Sequence, residues 1–580
     1  MQIHLRESRG RNAGMVHACD HFRVLRCLAT KPYPHSLHSK ESLLKYLLSL
    51  PNPRLLCASA LLALLVCQGT PALAATPKDT LVIALGVDDV ITLDPAEAFE
   101  TTTGEIMGNT YDRLVRLDVK DPTQLVADVA TSWTVSPDGR TYTFELRSGL
   151  KFASGNALMA EDVAYSLHRA VVLDKAPAFI LTQFGFNKDN VKDRIRATGP
   201  LTLTLETDKP YAPSFFLNCL TANVGAIVDR KLLLSKEQNG DWGYAWLKTH
   251  YAGSGPMKLR EWRANEIVAL ERNDGHYGEK PKLARVIYRH VKESATQRLL
   301  LEKGDIDIAR NLSPQDIAAL STNKDVKLTS APKATVYYIS LNQKNATLAK
   351  PEVREALKWL IDYAAISDTL IKNIGVNHQN FLPMGLLGAS KENPYKLDVE
   401  KARALLAKAG VPDGFKVTID ARSMQPEQGI VEAFQQTAKR AGVEVEIILG
   451  DGKQVLTRYR ARNHDMFIGP WSIDYWDPHS NADAFTRNPD NADDAKLKSL
   501  AWRNAWAIPE LTKKSDAAVL ERDTGKRKTM YEELQAEFRK TSPFIMLYQK
   551  IEVAALRRNV DGLQLGPSFD TTYMFKVSKR

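Results

Sequence analysis

Cysteine is nearly missing from the body of this chain. Of the 5 cysteines in 580 residues, Cys19, Cys27, Cys57 and Cys67 fall in the first 75, and only Cys219 lies beyond them. A lone cysteine makes neither an internal disulfide nor a thiolate metal cluster. A membrane-length apolar run is missing too: the twelve residues from Leu55 to Val66 fall short of the roughly twenty that span a bilayer. Charge of one sign is scarce outside the leader. The net charge is +10, but residues 1–75 hold 9 Lys and Arg against 3 Asp and Glu, while the rest hold 69 against 65. A body so nearly balanced does not support a nucleic-acid surface. There is no tandem repeat, no low-complexity linker, no His-Glu-x-x-His, no Gly-x-Ser-x-Gly and no glycine-rich phosphate loop. Zinc-protease, serine-hydrolase and nucleotide-binding chemistry are left without their motifs.

What is present starts with a leader. Lys45 and Arg54 precede the apolar run, and Ala72-Leu73-Ala74 follows it in the small-x-small pattern of a cleavage site, so residues 1–75 read as a leader carrying a secretory signal peptide. Cys67 follows Val66 where a lipoprotein signal wants a small residue, so the expected product is soluble and starts near Ala75. Residues 1 to about 40, long and His-rich for a signal peptide, suggest a start assigned too far upstream.

The body reads as α/β, with the length and 44% hydrophobic content of several globular domains. Strands are expected over Thr80–Leu85, Leu201–Glu206, Asp305–Ile308, Thr335–Leu341, Phe415–Ile419, Val443–Leu449 and Phe544–Gln549. A hairpin is expected across Pro137-Asp138-Gly139. Helices are expected over Glu105–Leu114, Met159–Ala170, Ser294–Lys303, Glu352–Ile366, Ile430–Ala441 and Lys528–Lys540, with others started by Ser313-Pro314 and capped by Asp398. Gly253-Ser254-Gly255-Pro256 interrupts the pattern and looks like a crossing between lobes. The strand and helix alternation after Asp398 implies a largely parallel sheet.

The densest stretch follows the apolar run Met466–Gly469: Pro470-Trp471-Ser472-Ile473-Asp474-Tyr475-Trp476-Asp477-Pro478. An apolar run ending in Gly-Pro reads as a buried strand surfacing into a loop, at the carboxyl end of a sheet, where ligands bind. Flat aromatic faces beside carboxylates suit a cationic guest. The alternative is a packed loop in which Asp474 caps a turn and the tryptophans are core.

These residues resemble the large peptide- and nickel-binding family of extracytoplasmic solute-binding proteins that serve ABC importers. The resemblance covers nearly all of residues 76–580 and rests on several stretches. They are Leu93-Asp94-Pro95 with Tyr111–Val115, Ala127–Trp133 with Pro137–Arg147, Ala160–Ser166, Gly253–Pro256, Val353–Leu357, and Trp471–Pro478. It implies a periplasmic clamshell of two α/β lobes with an extra small lobe. Residues 76–112, 246–334 and 542–580 would form lobe I, 113–245 the small lobe and 335–541 lobe III. It implies a monomeric receptor, with neither enzymatic activity nor a cofactor, that closes on a short peptide and hands it to an ABC permease and its ATPases. Asp474 would take the ligand's ammonium with Trp471 beside it, Arg422 its carboxylate, and Thr101 a hydroxyl contact. Relatives of this kind also bind nickel chelates, opines, haem and oligosaccharides. His479 keeps a metal chelate open, and Trp471, Tyr475 and Trp476 suit sugar stacking. A secreted hydrolase using Asp474 and Asp477 is the reading from another class, with a carboxylate separation that a single loop does not define.

Overall fold

The strand Val326–Leu341 is twice the length its pattern marks, and it organises the molecule. It pairs antiparallel with Phe544–Arg557 along nearly its whole length, from Val326 opposite Arg557 to Ser340 opposite Phe544. Only its second half, from Thr335 on, also pairs with Met466–Ser472. At the other end of the partner strand, Ala554–Leu556 pair with Ile308–Arg310. The two long strands therefore pass from one half of the sheet to the other. Their register slips between Pro332 and Val336 and again at Tyr337–Tyr338, a bend that accommodates Pro332, which has no N–H to give the ladder.

Residues 76–118 and 121–580 are described in this computed structural model. The expected signal peptide and its cleavage site near Ala74 and Ala75 lie outside the described residues. Beyond Ile308–Arg310 the sheet continues through Thr80–Leu85, Arg285–His290, Ile267–Arg272 and Met257–Arg263; beyond Met466–Ser472 it continues through Phe415–Arg422 and Val443–Gly450. Parallel pairs flank Thr80–Leu85 and Phe415–Arg422, but every pairing of the two crossing strands is antiparallel. The sheet is thus mixed where the sequence suggested a largely parallel one, because strands that cross and return must run both ways.

Each half buries both sheet faces, following the period of two. In one half Ile83 packs with Val286-side residues while Ala84 turns to Ile317 and Leu320 on the other face. In the other half Ile339 and Ile468 face one core, and Tyr338 and Phe467 the opposite one. A separate four-stranded antiparallel sheet is ordered Ala130–Val135, Thr141–Leu146, Thr202–Glu206, Ile195–Gly199. Tyr142 and Phe144 pack there against Val163 and Leu167 of the helix Ala160–Leu173. The expected hairpin forms, with Gly139 at φ 76° supplying the left-handed position of its turn.

Several boundaries move. The helix expected over Glu105–Leu114 is Thr101–Thr110; all but its first residue are buried, so no polar stripe marks its ends. Glu352–Ile366 is two helices, Pro351–Lys358 and Tyr363–Asp368, the second capped by Asp362, whose carboxylate accepts from the Ala365 N–H. The strand near Asp305 begins at Ile308, and Phe415–Ile419 extends to Arg422. Gly253–Pro256, expected as a crossing between lobes, leads into the strand Met257–Arg263. It is a close-packed loop, in which a Cβ on Gly255 would stand 2.5 Å from the Thr110 carbonyl carbon.

Candidate functional site

Where the crossing strands pass between the halves, one face of the sheet opens into a cavity of about 260 Å³. Tyr337 lines it and stacks on the buried Tyr548, ring centroids 4.4 Å apart. Alternate residues continue the same face, so Lys550 and Glu552 line the cavity together with Pro470 and Ser472. One wall is the start of the helix Thr101–Thr110 with Arg310; another is Arg422 and Met424; Ser568 and Phe569 close a third side. A larger open groove of about 620 Å³ runs along Ile448–Arg458, but it is built from one edge of the sheet alone. The smaller cavity is the one that both halves share, so a guest there senses their relative position.

Much of the cavity's charge is satisfied internally. Arg310 donates from Nε to Glu552 at 2.6 Å and from Nη2 to Glu105 at 3.1 Å. Lys333 lies 2.8 Å from the other Glu552 oxygen and donates to the Gly566 carbonyl at 2.6 Å. Burial alone would raise Glu552, but Arg310, Lys333 and Lys550 around it hold its carboxyl well below the ordinary carboxylate range. Glu105 goes the other way: its burial outweighs Arg310, and Glu552 adds repulsion.

Of the expected site residues, the structure brings Thr101 and Arg422 into this cavity. Thr101 is exposed at the helix start. Arg422 is paired with Glu427 through Nε, at 2.8 Å, and through Nη2. Burial works against the guanidinium's charge and the Glu427 bonds more than restore it; Nη1 has no partner among the described residues.

Asp474 and Trp471 are not in that lining. Asp474 borders a neighbouring void of about 10 Å³ that shares Ile473, Ser568 and Phe569 with the cavity. Its N–H donates to Ser480 Oγ at 2.8 Å, but its carboxylate, half-buried, has neither hydrogen bond nor ion pair among the described residues. Burial pushes that carboxyl up to about 7, with Asp483 adding repulsion and Arg503 opposing it. Trp471 is half-buried edge-on to Phe485, its indole N–H enclosed and unpartnered. The strand continues through Pro470 to Ser472. This is tolerated because its pairing with Phe415–Arg422 stops at Asp420 opposite Phe467, leaving Pro470 on a free edge.

The loop's other groups are structural. Asp477, not Asp474, caps the helix Pro478–Thr486 and takes a two-pronged contact from Arg527 at 2.7 and 2.8 Å. Tyr475 and Trp476 are core residues, so they offer no open faces for stacking on a sugar ring. His479 is buried against Phe215; burial, with Arg527 and Arg487 nearby, lowers it to about 3. It lines neither the cavity nor the void. No group of three or more His, Cys, Asp or Glu is placed to hold a metal ion among the described residues.

Sequence reasoning missed Lys333, Lys550 and Glu552. The signal was present as Tyr548, Lys550 and Glu552 alternating with Gln549, Ile551 and Val553, which reads as a strand with one polar face.

Residues 124–493 match the model of the bacterial extracellular solute-binding proteins, family 5. The chain belongs to this family. Its relatives include the probable D,D-dipeptide-binding periplasmic protein DdpA of Escherichia coli, 29% identical over 518 residues that cover 88% of this chain and 97% of that one. The glutathione-binding protein GsiB of Salmonella typhimurium is 28% identical over 518 residues, 87% and 94% of the two chains. Among solved structures, the ABC transporter-associated binding protein DppA of Helicobacter pylori, in complex with the peptide STSA, superposes with a TM-score of 0.73. It is 25% identical, and the match covers 86% of this chain and 98% of that one. This family-5 protein is therefore a periplasmic solute receptor of the ABC-importer type, built as two lobes joined by crossing strands, and not an enzyme.

Proposed function

We propose that this receptor captures short peptides with a free amino terminus, closes its lobes on them and presents them to a membrane permease. The observation that carries this reading is the Asp474 carboxylate, half-buried beside a small void that adjoins the inter-lobe cavity and unpaired among the described residues. A buried carboxylate without a partner is costly, and a ligand ammonium removes that cost. The free Nη1 of Arg422 supports a contact to the peptide's carboxylate, Trp471 an apolar wall beside Asp474, and Thr101 a hydroxyl from the opposite lobe. Groups from both lobes matter, because a ligand shifts a two-state equilibrium only by its preference for one state: inverting a 1:99 population takes about 5.5 kcal/mol. The peptide-handling relatives, DdpA and DppA, favour this cargo by their names.

The mature receptor is proposed to begin near Ala75 after cleavage of the leader, which mass spectrometry of the exported protein reads directly. For the cargo, free di- and tri-alanine should raise the melting temperature and their N-acetyl forms should not. Equal shifts from both, or from neither, would remove the ammonium role. Asp474→Asn should weaken the free peptide by roughly 2 to 5 kcal/mol.

A further inference from the structure

The charges facing the cavity do not cancel. Glu105 and Glu552 are met by Arg310 and Lys333, and Glu427 by Arg422. Lys550 is left over. It stands between Tyr548 and Glu552 on the cavity side of its strand, yet its ammonium has no hydrogen bond and no carboxylate oxygen within 4.0 Å among the described residues. The nearest acid, Glu552, is already held by two other cations. Among the described residues that line the cavity and its adjoining void, the unpaired charges thus come to one cation, Lys550, and one anion, Asp474.

We propose that Lys550, rather than Arg422, supplies the charge that balances a carboxylate on the solute. The proposal rests on the reading of Asp474 as the ammonium's partner and completes it, since a zwitterion leaves neither end uncompensated. Arg422 has its charge neutralised by Glu427 and offers direction through one N–H rather than net charge. Burial of the Lys550 ammonium works against its proton. Glu552 favours the charge, while Lys333 and Arg310 oppose it, so an anion placed beside it relieves a cost. A compact ammonium on a flexible stem also tolerates carboxylates at slightly different depths, as peptides of different length would present them.

The test compares the wild type with Lys550→Met and Lys550→Arg, all first shown to have the wild-type circular dichroism spectrum. The ligands are tri-alanine against its C-terminal amide, and Ala-Glu-Ala against Ala-Gln-Ala, titrated by calorimetry. The wild type should prefer the acid of one pair by about tenfold or more, Lys550→Met should lose that preference to within about twofold, and Lys550→Arg should keep most of it. Preference in the first pair assigns Lys550 to the terminal carboxylate, in the second to a side-chain acid. Retention of the preference by Lys550→Met, or no preference in either wild-type pair, overturns the proposal. Discrimination against N-acetyl peptides should survive in Lys550→Met; its absence from the wild type would remove the Asp474 reading, whereas the acid preference and its loss in Lys550→Met read Lys550 separately. A thermal-shift series with sodium acetate at matched ionic strength needs no peptide to bind. Stabilisation of the wild type but not of Lys550→Met supports the assignment, and equal responses overturn it.

Discussion

Two carboxylates three residues apart on one loop have opposite surroundings. Asp477 is enclosed with Arg527, both side chains about 1% exposed, and also accepts from the His479 N–H. Asp474 has no partner for its carboxylate among the described residues and a pKa pushed up to about 7 by burial, then by Asp483. The same division separates Asp94, bound two-pronged by Arg169, from Lys550. A buried charge with a dedicated partner fixes the fold: Arg169 ties the Leu93-Asp94-Pro95 turn to the helix Ala160–Leu173, and Arg527 ties the Trp471–Pro478 loop to the helix Thr524–Thr541. A sheltered charge without one costs stability, and its presence in or beside a cavity that both lobes share points to binding.

The comparison breaks most visibly in stability. Removing one member of a buried pair strands the other, so Asp477→Asn or Arg527→Met should cost about 3 to 5 kcal/mol of unfolding free energy, read from urea transitions. Asp474→Asn strands nothing and should leave stability unchanged or raise it. Equal losses at the two aspartates would mean that Asp474 has a structural partner after all.

That distinction was not legible in the sequence. Arg527 lies 50 residues beyond Asp477 in the chain, and nothing local announces which aspartate it will reach. Local signals carried most of the fold. Strict alternation gave Thr202–Glu206, Pro137-Asp138-Gly139 gave the hairpin, and Ser313 and Asp398 capped the helices they were expected to start. The crossing strands are longer than their apolar pattern because Lys333, Lys550 and Glu552 stand where a buried strand is expected to be apolar. Those are the residues that make the cavity polar, so the local pattern failed at the site. Thr101 and Arg422, which the resemblance to known receptors singles out, line the cavity, while the pairing of Arg422 with Glu427 needed the fold of the turn between them.

The subtlest contrast is in pH. An ammonium binds only ionised Asp474, and a carboxyl held near 7 is increasingly protonated as the pH falls below that value. Peptide binding must then expel a proton, so affinity should fall by up to about tenfold per pH unit below 7, equivalent to about 1.4 kcal/mol. Above about 8 the peptide's own amine, with a pKa near 7.7 to 8.0, loses its charge and affinity declines again. Stability carries the opposite sign. A folded-state pKa raised above the unfolded value of about 3.9 means that ionisation penalises the fold, with no penalty below pH 4 and the full penalty above 7. Asp474→Asn should therefore gain stability relative to the parent as the pH rises through that window, while its peptide affinity loses the acid limb. Calorimetry with tri-alanine from pH 5 to 8.5 reads the second effect, and thermal melts of the ligand-free proteins read the first. An acid limb that persists in Asp474→Asn would place the titrating group elsewhere. Asp477→Asn retains Asp474, so where it folds its peptide affinity should keep the acid limb of the wild type.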